Sequence, residues 1–374
     1  MYAYLDNSAT TKPCSESVQA VNFMMTENFG NPSSLHQIGL NAHREINSAR
    51  EIIAKSVGAA DKSEIIFTSG GTEANNLAIF GAAMANKRKG NRIVTTAIEH
   101  ESVMTACDEL EKQGFEIVRL QPDKYGNITE KQIADAINSD TILVSIMLVN
   151  NEVGSIMPIN SIKRAVKNAN SPALIHVDAV QGYGKIPIKV QRLGVDLLTV
   201  TAHKIHGPKG SGALYIRKGV LLYPRIFGGE QERKIRSGTE CAPLIAGFGA
   251  AAKNIKINNE NIKKLNAYTR QKLSEINEIT INSDNNASEY IINFSVGGIR
   301  SQTLIQFLSS LDIYVSNGSA CAKGKKSHVL TAMNLDNDVI DSAVRVSFSR
   351  YNTTDDIEKL VDGIKTAQKS LSRR

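Results

Sequence analysis

Between Gly39 and about Ile216 the chain alternates two hydrophobic periods. Short runs rich in Ile, Val, Leu and Thr read as strands at 64–68, 92–96, 115–120, 141–149, 173–177, 197–200 and 212–216. Between them apolar residues recur at helical spacing over 40–57, from Gly71 to about Lys89, and over 101–113, 129–137 and 159–170. In the first of these, Ile46, Ala49, Ile53 and Val57 form one stripe, and Gly58 suits the stop. Thr129 with Gln132 three residues on forms a capping box, which satisfies backbone N–H groups at a helix start. Short apolar strands separated by helices predict an α/β fold: a mostly parallel sheet with helices on both faces. In such sheets functional groups gather beyond the carboxyl ends of the strands.

From Asn254 to about Asn286 the pattern turns polar and asparagine-rich, with helical spacing at Ile262, Leu265 and Leu273. The final segment returns to mixed strand and helix signals, as a smaller α+β domain would. At 374 residues the chain exceeds one typical core. The expected division is a large domain over 14–255 and a small one made of 1–13 with 256–374. No internal repeat is evident.

Composition narrows the class. Hydrophobic residues make up 41% and charged residues 22%, as in an ordinary soluble globular protein. No apolar run approaches the roughly 20 residues that span a bilayer. The start, Met1 to Asp6, lacks the basic end and apolar core of a signal peptide, so a cytoplasmic location is expected. Four cysteines, Cys14, Cys107, Cys241 and Cys321, are scattered without a Cys-x-x-Cys pair. They read as free thiols in a reducing compartment, and no metal site is expected. The net charge of +7 is spread along the chain, which describes a solvated basic surface and no direct nucleic-acid binding. The exception is local: Lys323, Lys325 and Lys326 crowd around Cys321.

The chemistry-bearing residues fall just past strand ends. Lys204 stands in His203-Lys204-Ile205-His206-Gly207-Pro208-Lys209-Gly210, directly after an apolar strand. A lysine so placed is suited to hold an aldehyde cofactor such as pyridoxal phosphate as an imine. Ser69-Gly70-Gly71-Thr72 lies between a strand and a helix, where backbone N–H groups and the helix dipole favour an anion. No nucleotide fingerprint is present, so a single phosphate fits better. Asp178 ends a strand 26 residues before Lys204. It either pairs with a pyridinium nitrogen or caps the following turn. His100 follows another strand, and it either stacks on a planar cofactor and moves protons or caps a helix. Asn151 supplies a neutral hydrogen-bonding group at the same sheet edge. Cys321 sits in a small, basic, glycine-containing stretch whose lysines favour the thiolate. Cys107, by contrast, falls on a core stripe with Leu110.

Taken together the motifs resemble the NifS/IscS-type cysteine desulfurases, in the class V aminotransferase group of fold-type I pyridoxal phosphate enzymes. The resemblance is carried by residues 4–11, Phe29-Gly30-Asn31-Pro32-Ser33-Ser34, Thr68 to Glu73, Val149 to Gly154 and Val177 to Gln181. His203-Lys204, Arg236-Ser237-Gly238-Thr239 and Gly318-Ser319-Ala320-Cys321 extend it nearly end to end. It implies that Lys204 forms the imine, His100 stacks on the ring and Asp178 meets the ring nitrogen, with Asn151 and Gln181 near the phenolic oxygen. Thr72, Thr201 and His203 would hold the phosphate, joined by Thr239 from the second subunit of a homodimer. Asn31 and Arg345 would receive the substrate carboxylate. The implied reaction converts L-cysteine to L-alanine and leaves the sulfur on Cys321 as a persulfide, with His100 shuttling a proton for the substrate thiol. The sulfur would pass to an acceptor protein, an iron–sulfur scaffold or a tRNA-thiolation enzyme. Selenocysteine lyase, or another class V aminotransferase or lyase, is the alternative.

Two departures bear on the acceptor. The segment between Cys321 and His328-Val329-Leu330 is about two residues shorter than in the familiar housekeeping enzymes. The ending at 370–374 is expected to lack the tail with which those enzymes engage a scaffold.

Overall fold

In the computed structural model, which describes residues 2–257, 260–318 and 326–371, the alternating region builds a seven-stranded sheet. A two-residue strand, β1 (Ala3–Tyr4), precedes it. The sheet contains β2 (Ile65–Thr68), β3 (Arg92–Thr96), β4 (Glu116–Leu120), β5 (Thr141–Met147), β6 (Leu174–Asp178), β7 (Leu197–Thr201) and β8 (Gly212–Ile216). Their order across the sheet is β2-β8-β7-β6-β5-β3-β4. The pairs β4/β3, β3/β5, β5/β6 and β6/β7 are parallel, whereas β8 runs antiparallel to both β7 and β2. The link 202–211 explains β8: it falls short of the dozen or so residues that a parallel crossover needs. Every residue of β5, β7 and β8 is buried, as a sheet covered on both faces requires.

The predicted strands and helices appear with small shifts. The run at 173–177 becomes Leu174–Asp178, so Asp178 is itself the last strand residue. The helix expected at 40–57 begins earlier, at Gln37, because His36 caps it through Nδ1, which accepts from the Gly39 N–H. Gly58 ends that helix in the left-handed conformation, and the Thr129–Gln132 box caps Glu130–Ala136. A helix at Ser15–Thr26 has no counterpart in the periodicity, since only Ser17 and Met24 on it are buried.

The carboxyl-terminal strands are β9 (Ile279–Ile281), β10 (Ile291–Val296), β11 (Ile313–Tyr314) and β12 (Ala343–Ser347). They form a three-stranded antiparallel sheet in the order β12-β10-β9, and β11 pairs in parallel with β1. The chain start is thereby tied to its far end: the Leu5 N–H donates to the Tyr314 carbonyl and the Ser347 N–H to the Leu5 carbonyl. The turn at 6–10 is thus held beside the large sheet, where Thr11 N–H donates to the His203 carbonyl.

Helices Ser15–Thr26 and Gln37–Val57 both pack on helix Ala242–Lys253. A close approach is at Gly249, where a Cβ would come within 2.6 Å of the Ala49 Cβ. Helix propensity favours Gly249→Ala by about 1 kcal/mol, but overpacking a close helix pair costs roughly 1–3 kcal/mol. Gly249→Ala is expected to lower the unfolding free energy by ~1 kcal/mol, read from the urea midpoint at unchanged slope.

Candidate active site

The carboxyl ends of β3, β5, β6 and β7 face a cavity of about 260 Å3. Its wall includes Thr72, His100, Asn151, Asp178, Gln181, Thr201, His203, Lys204 and Arg345, so nine residues singled out in the sequence meet in one place.

Lys204 closes the short turn that follows β7. Its Nζ donates to the carbonyls of Ser8 and, at 2.8 Å, Ala9 in the amino-terminal turn. Asp178 is buried, and both of its oxygens accept hydrogen bonds. Oδ1 takes the Val180 N–H at 2.9 Å and Oδ2 the Asn75 amide at 2.7 Å. The turn-capping role is therefore present, and the residue also lines the cavity. His100 likewise does two things. Its Nδ1 accepts the Ser102 N–H at 3.1 Å and caps helix Glu101–Lys112, while the residue lines the cavity. Burial pulls its basicity below the ordinary value, with Asp178 opposing and Lys204 assisting.

Gln181 is held at both ends of its amide. Nε2 donates to the Ser8 carbonyl at 2.9 Å, and Oε1 accepts from Lys185 Nζ at 2.9 Å. Lys185 is buried and pushed down to about 7 by that burial, with the charges of Lys204 and Arg345 adding. Arg345, on β12, is almost fully enclosed. It bonds Asp6 at 2.7 Å, the Asn151 carbonyl at 2.9 Å and the Gly318 carbonyl at 2.8 Å. His203 is pushed to about 3 by burial and by Lys204, and so is a neutral ring beside Thr10.

Beside the main cavity lies a second, more open recess walled by Gly70, Gly71, Thr72, Thr201, His203 and Lys209. Helix Gly71–Asn86 starts there without a side-chain cap, behind Gly70 in an extended conformation with positive φ. Uncapped first-turn amides beside a lysine favour an anion. Three buried polar atoms on the main cavity wall have no partner among the described residues: Ser8 Oγ, Asn75 Oδ1 and Arg345 Nε. Buried polar atoms are normally paired, so three on one wall mark a site for a polar ligand.

Other expected residues stand apart. Asn31 is exposed, and its side chain accepts the Ser33 N–H in its own loop. Thr239 is exposed and lines a different recess, with Arg236 and Cys241. Cys321, with Lys323 and Lys325, lies outside the described residues. Cys107 is buried beside Leu110, and burial pushes its thiol up to about 12, which leaves it inert.

The periodicity gave no hint of Asn75, Ser102 or Lys185, which hold Asp178, His100 and Gln181 from behind. Nor did it mark Glu152 and His328, which join the wall. Ser327 donates to Glu152 at 2.5 Å, and His328 Nε2 donates to the Glu99 carbonyl at 2.9 Å. The available signals were adjacency: Asn75 lies one helical turn past Gly71, and Ser102 two residues past His100.

The chain matches the aminotransferase class-V family over residues 3–360. It is 43% identical over 371 residues to the cysteine desulfurase IscS of Methanosarcina thermophila, covering 96% of this chain and 90% of that one. It is 41% identical to the cysteine desulfurase IscS of Dictyoglomus turgidum over 367 residues, with 96% and 92% covered. Among solved structures, a NifS-like protein superposes with a TM-score of 0.93 at 36% identity, over 99% of this chain and all of the other. SspA in complex with cysteine superposes with a TM-score of 0.84 at 34% identity, over 94% of this chain and all of that one.

Glu99 offers a pH test of the site's frame. It is fully buried; Oε1 accepts from Thr96 Oγ1 at 2.8 Å and from the Met147 N–H at 3.0 Å, which ties the end of β3 to the end of β5. Burial raises it to about 8, with Asp178 adding. A carboxyl raised on folding stabilises fully below its unfolded value, and that stabilisation is lost as pH rises through about 8. Thermal melts of the wild type should therefore lose stability from about pH 5 to pH 8, and Glu99→Gln should flatten that part of the curve. Parallel curves for the two proteins would refute the assignment.

Proposed function

The chain belongs to the class-V aminotransferase family, and from that premise we propose that it is a cysteine desulfurase, taking the sulfur of L-cysteine onto Cys321 as a persulfide and releasing L-alanine. The observation that carries this reading is the convergence of Lys204, Asp178, His100 and Arg345 on one cavity at the strand ends. The similarity to proteins named cysteine desulfurase, at 41–43% identity over most of the chain, supports it from outside the geometry. A solved relative that superposes over 94% of the chain was captured with cysteine.

The residues fit pyridoxal 5'-phosphate. Asp178 would face its ring nitrogen, His100 one ring face and Gln181 with Asn151 its phenolic oxygen. The phosphate would meet Thr72, Thr201, His203 and the uncapped helix start. When bound, this group supplies an aldehyde that captures amines and a ring that draws off electrons. The protein's own part is to hold and orient. Lys204 supplies the amine, and Lys185 behind Gln181 fixes which way that amide points. Arg345, with an unpartnered Nε, and Asn31 from its loop would take the substrate carboxylate. The amino-terminal turn holds the Lys204 amine through the carbonyls of Ser8 and Ala9. Cys321 would attack the substrate sulfur as a thiolate favoured by its neighbouring lysines, and alanine would leave as the other product.

The same reading makes the protein a homodimer in which Thr239 of each chain serves the other's phosphate. The exposed apolar side chains Phe23, Met25, Phe29, Leu35, Leu221 and Phe227 are available for burial against a second copy. The large domain, 14–255, would hold the cofactor and the small one, 1–13 with 256–374, the Cys321 segment. No helix among the described residues is long and apolar enough to cross a membrane, and a cytoplasmic site of action fits. An acceptor protein, an iron–sulfur scaffold or a tRNA-thiolation enzyme, would then take the sulfur.

Mass spectrometry after incubation with L-cysteine should find one extra sulfur on Cys321, and Cys321→Ser should abolish it while the visible absorbance of the bound cofactor persists. Borohydride should fix the cofactor to the wild type but not to Lys204→Ala. Alanine release by Cys321→Ser at the wild-type rate would overturn the persulfide route.

A further inference from the structure

The contacts behind His100 determine which of its nitrogens carries the proton. A backbone N–H can only donate, so the Ser102 N–H at 3.1 Å is satisfied only while His100 Nδ1 keeps a lone pair, which favours the Nε2–H form. The Ser102 hydroxyl lies 2.8 Å from the same nitrogen and has to donate to it as well. That orientation turns the Ser102 oxygen lone pairs away, and there Asn75 Nδ2 donates to them at 2.9 Å. The other hydrogen of the same amide goes to Asp178 Oδ2 at 2.7 Å. A carboxylate only accepts, so the Asn75 amide cannot be turned round. Asp178 fixes the direction of the amide, and the Ser102 N–H fixes the lone pair on Nδ1, to which the hydroxyl then donates while its own oxygen accepts from the amide. Asn75 is 1% exposed, Asp178 4% and Ser102 8%, so water does not compete along it.

We propose that Asn75 and Ser102 are positioning residues that lock His100 in the Nε2–H form, so that its ring meets the substrate sulfur as a hydrogen-bond donor. The inference rests on the desulfurase reading for the identity of the sulfur, but the tautomer follows from geometry alone. Nε2 has no protein partner among the described residues, and the residue lines the cavity. A ring with its proton on Nε2 cannot take a thiol proton there. It could take one only at Nδ1, at the cost of the helix cap and with the Ser102 hydroxyl turned round to accept. His100 therefore meets the substrate sulfur as an N–H donor rather than as the base that first takes its proton. Burial, which disfavours the doubly protonated ring, acts in the same direction.

The direct test is two-bond 15N–1H correlation spectra of histidine-labelled holoenzyme without substrate, with the His100 signals assigned by their loss in His100→Gln. The wild type should show a protonated Nε2 and an unprotonated Nδ1 from pH 6 to pH 9. A protonated Nδ1 in that range would overturn the proposal, whatever the protein proves to catalyse. Ser102→Ala keeps the backbone cap and removes only the hydroxyl, so it should fold, bind cofactor with unchanged absorbance and give mixed tautomers. Its kcat for cysteine should fall about 10-fold with KM little changed, within the range of a misplaced proton-handling group, and Ser102→Thr should restore both signals. Asn75→Leu should reproduce the tautomer mixing. Wild-type His100 spectra in Ser102→Ala and Asn75→Leu would refute the relay. Failure of the desulfurase reading would leave the spectra as expected and remove only the cysteine turnover.

Discussion

A carboxylate buried at a strand end must be surrounded by donors, because an isolated charge out of water costs several kcal/mol. Asp178 meets that demand with one donor from its own turn, Val180, and one from the first turns of helix Gly71–Asn86, Asn75. The second bond does more than satisfy the charge. It fixes the start of that helix, with Gly70, Gly71 and Thr72, relative to the end of β6. The same amide reaches Ser102, at the start of helix Glu101–Lys112. Three strand-to-helix connections are thus aligned on one carboxylate. An anion site, an acid and a histidine come to one cavity because their backbones share a hydrogen-bond network.

The remaining side of the cavity comes from the chain's ends. Pairing of β1 with β11, and of the 5–7 segment with Ser347, carries Ser8 and Ala9 to Lys204 and Asp6 to Arg345. Parallel sheets alone leave the region beyond their strands open to water. Here the antiparallel β12 and the amino-terminal turn roof it, and Arg345 enters from that roof with 2% exposure.

The sheet was legible because its central strands are continuously apolar and its helices carry clear stripes, as at Ile46, Ala49, Ile53 and Val57. Helix Ser15–Thr26 was not, since its packing against Ala242–Lys253 buries few large side chains and leaves Val18, Phe23 and Met25 outside. The antiparallel β8 was hidden because period says nothing of direction; only the length of the 202–211 link carries it. For the site, residues at strand ends could be read from chemistry and spacing. Lys204, Asp178 and His100 each follow an apolar run, and the structure brings them to one wall. Their supports could not be read this way. Asn75 and Lys185 look like ordinary helix and loop polar residues until burial and a partner are known. Sequence also posed choices that turned out not to exclude each other: Asp178 caps its turn and faces the cavity, and His100 caps its helix and does the same.

Charge explains why these supports are needed. Burial brings Lys185 down to about 7, and the nearby charges of Lys204 and Arg345 push it the same way. His203 and His100 are driven towards neutrality by burial and by Lys204. Of the carboxylates around them, Asp6 is committed to Arg345, Asp178 to Asn75 and Val180, and Glu152 to Ser327, while Glu101 also lines the wall. An anion near Lys185 and His203 would raise their proton affinity again, since opposite charge favours the ionised form. Ligand binding and protonation are therefore linked in this cavity. His100 is held differently, because protonating its Nδ1 would break the cap from the Ser102 N–H, a cost that Lys185 and His203 do not face.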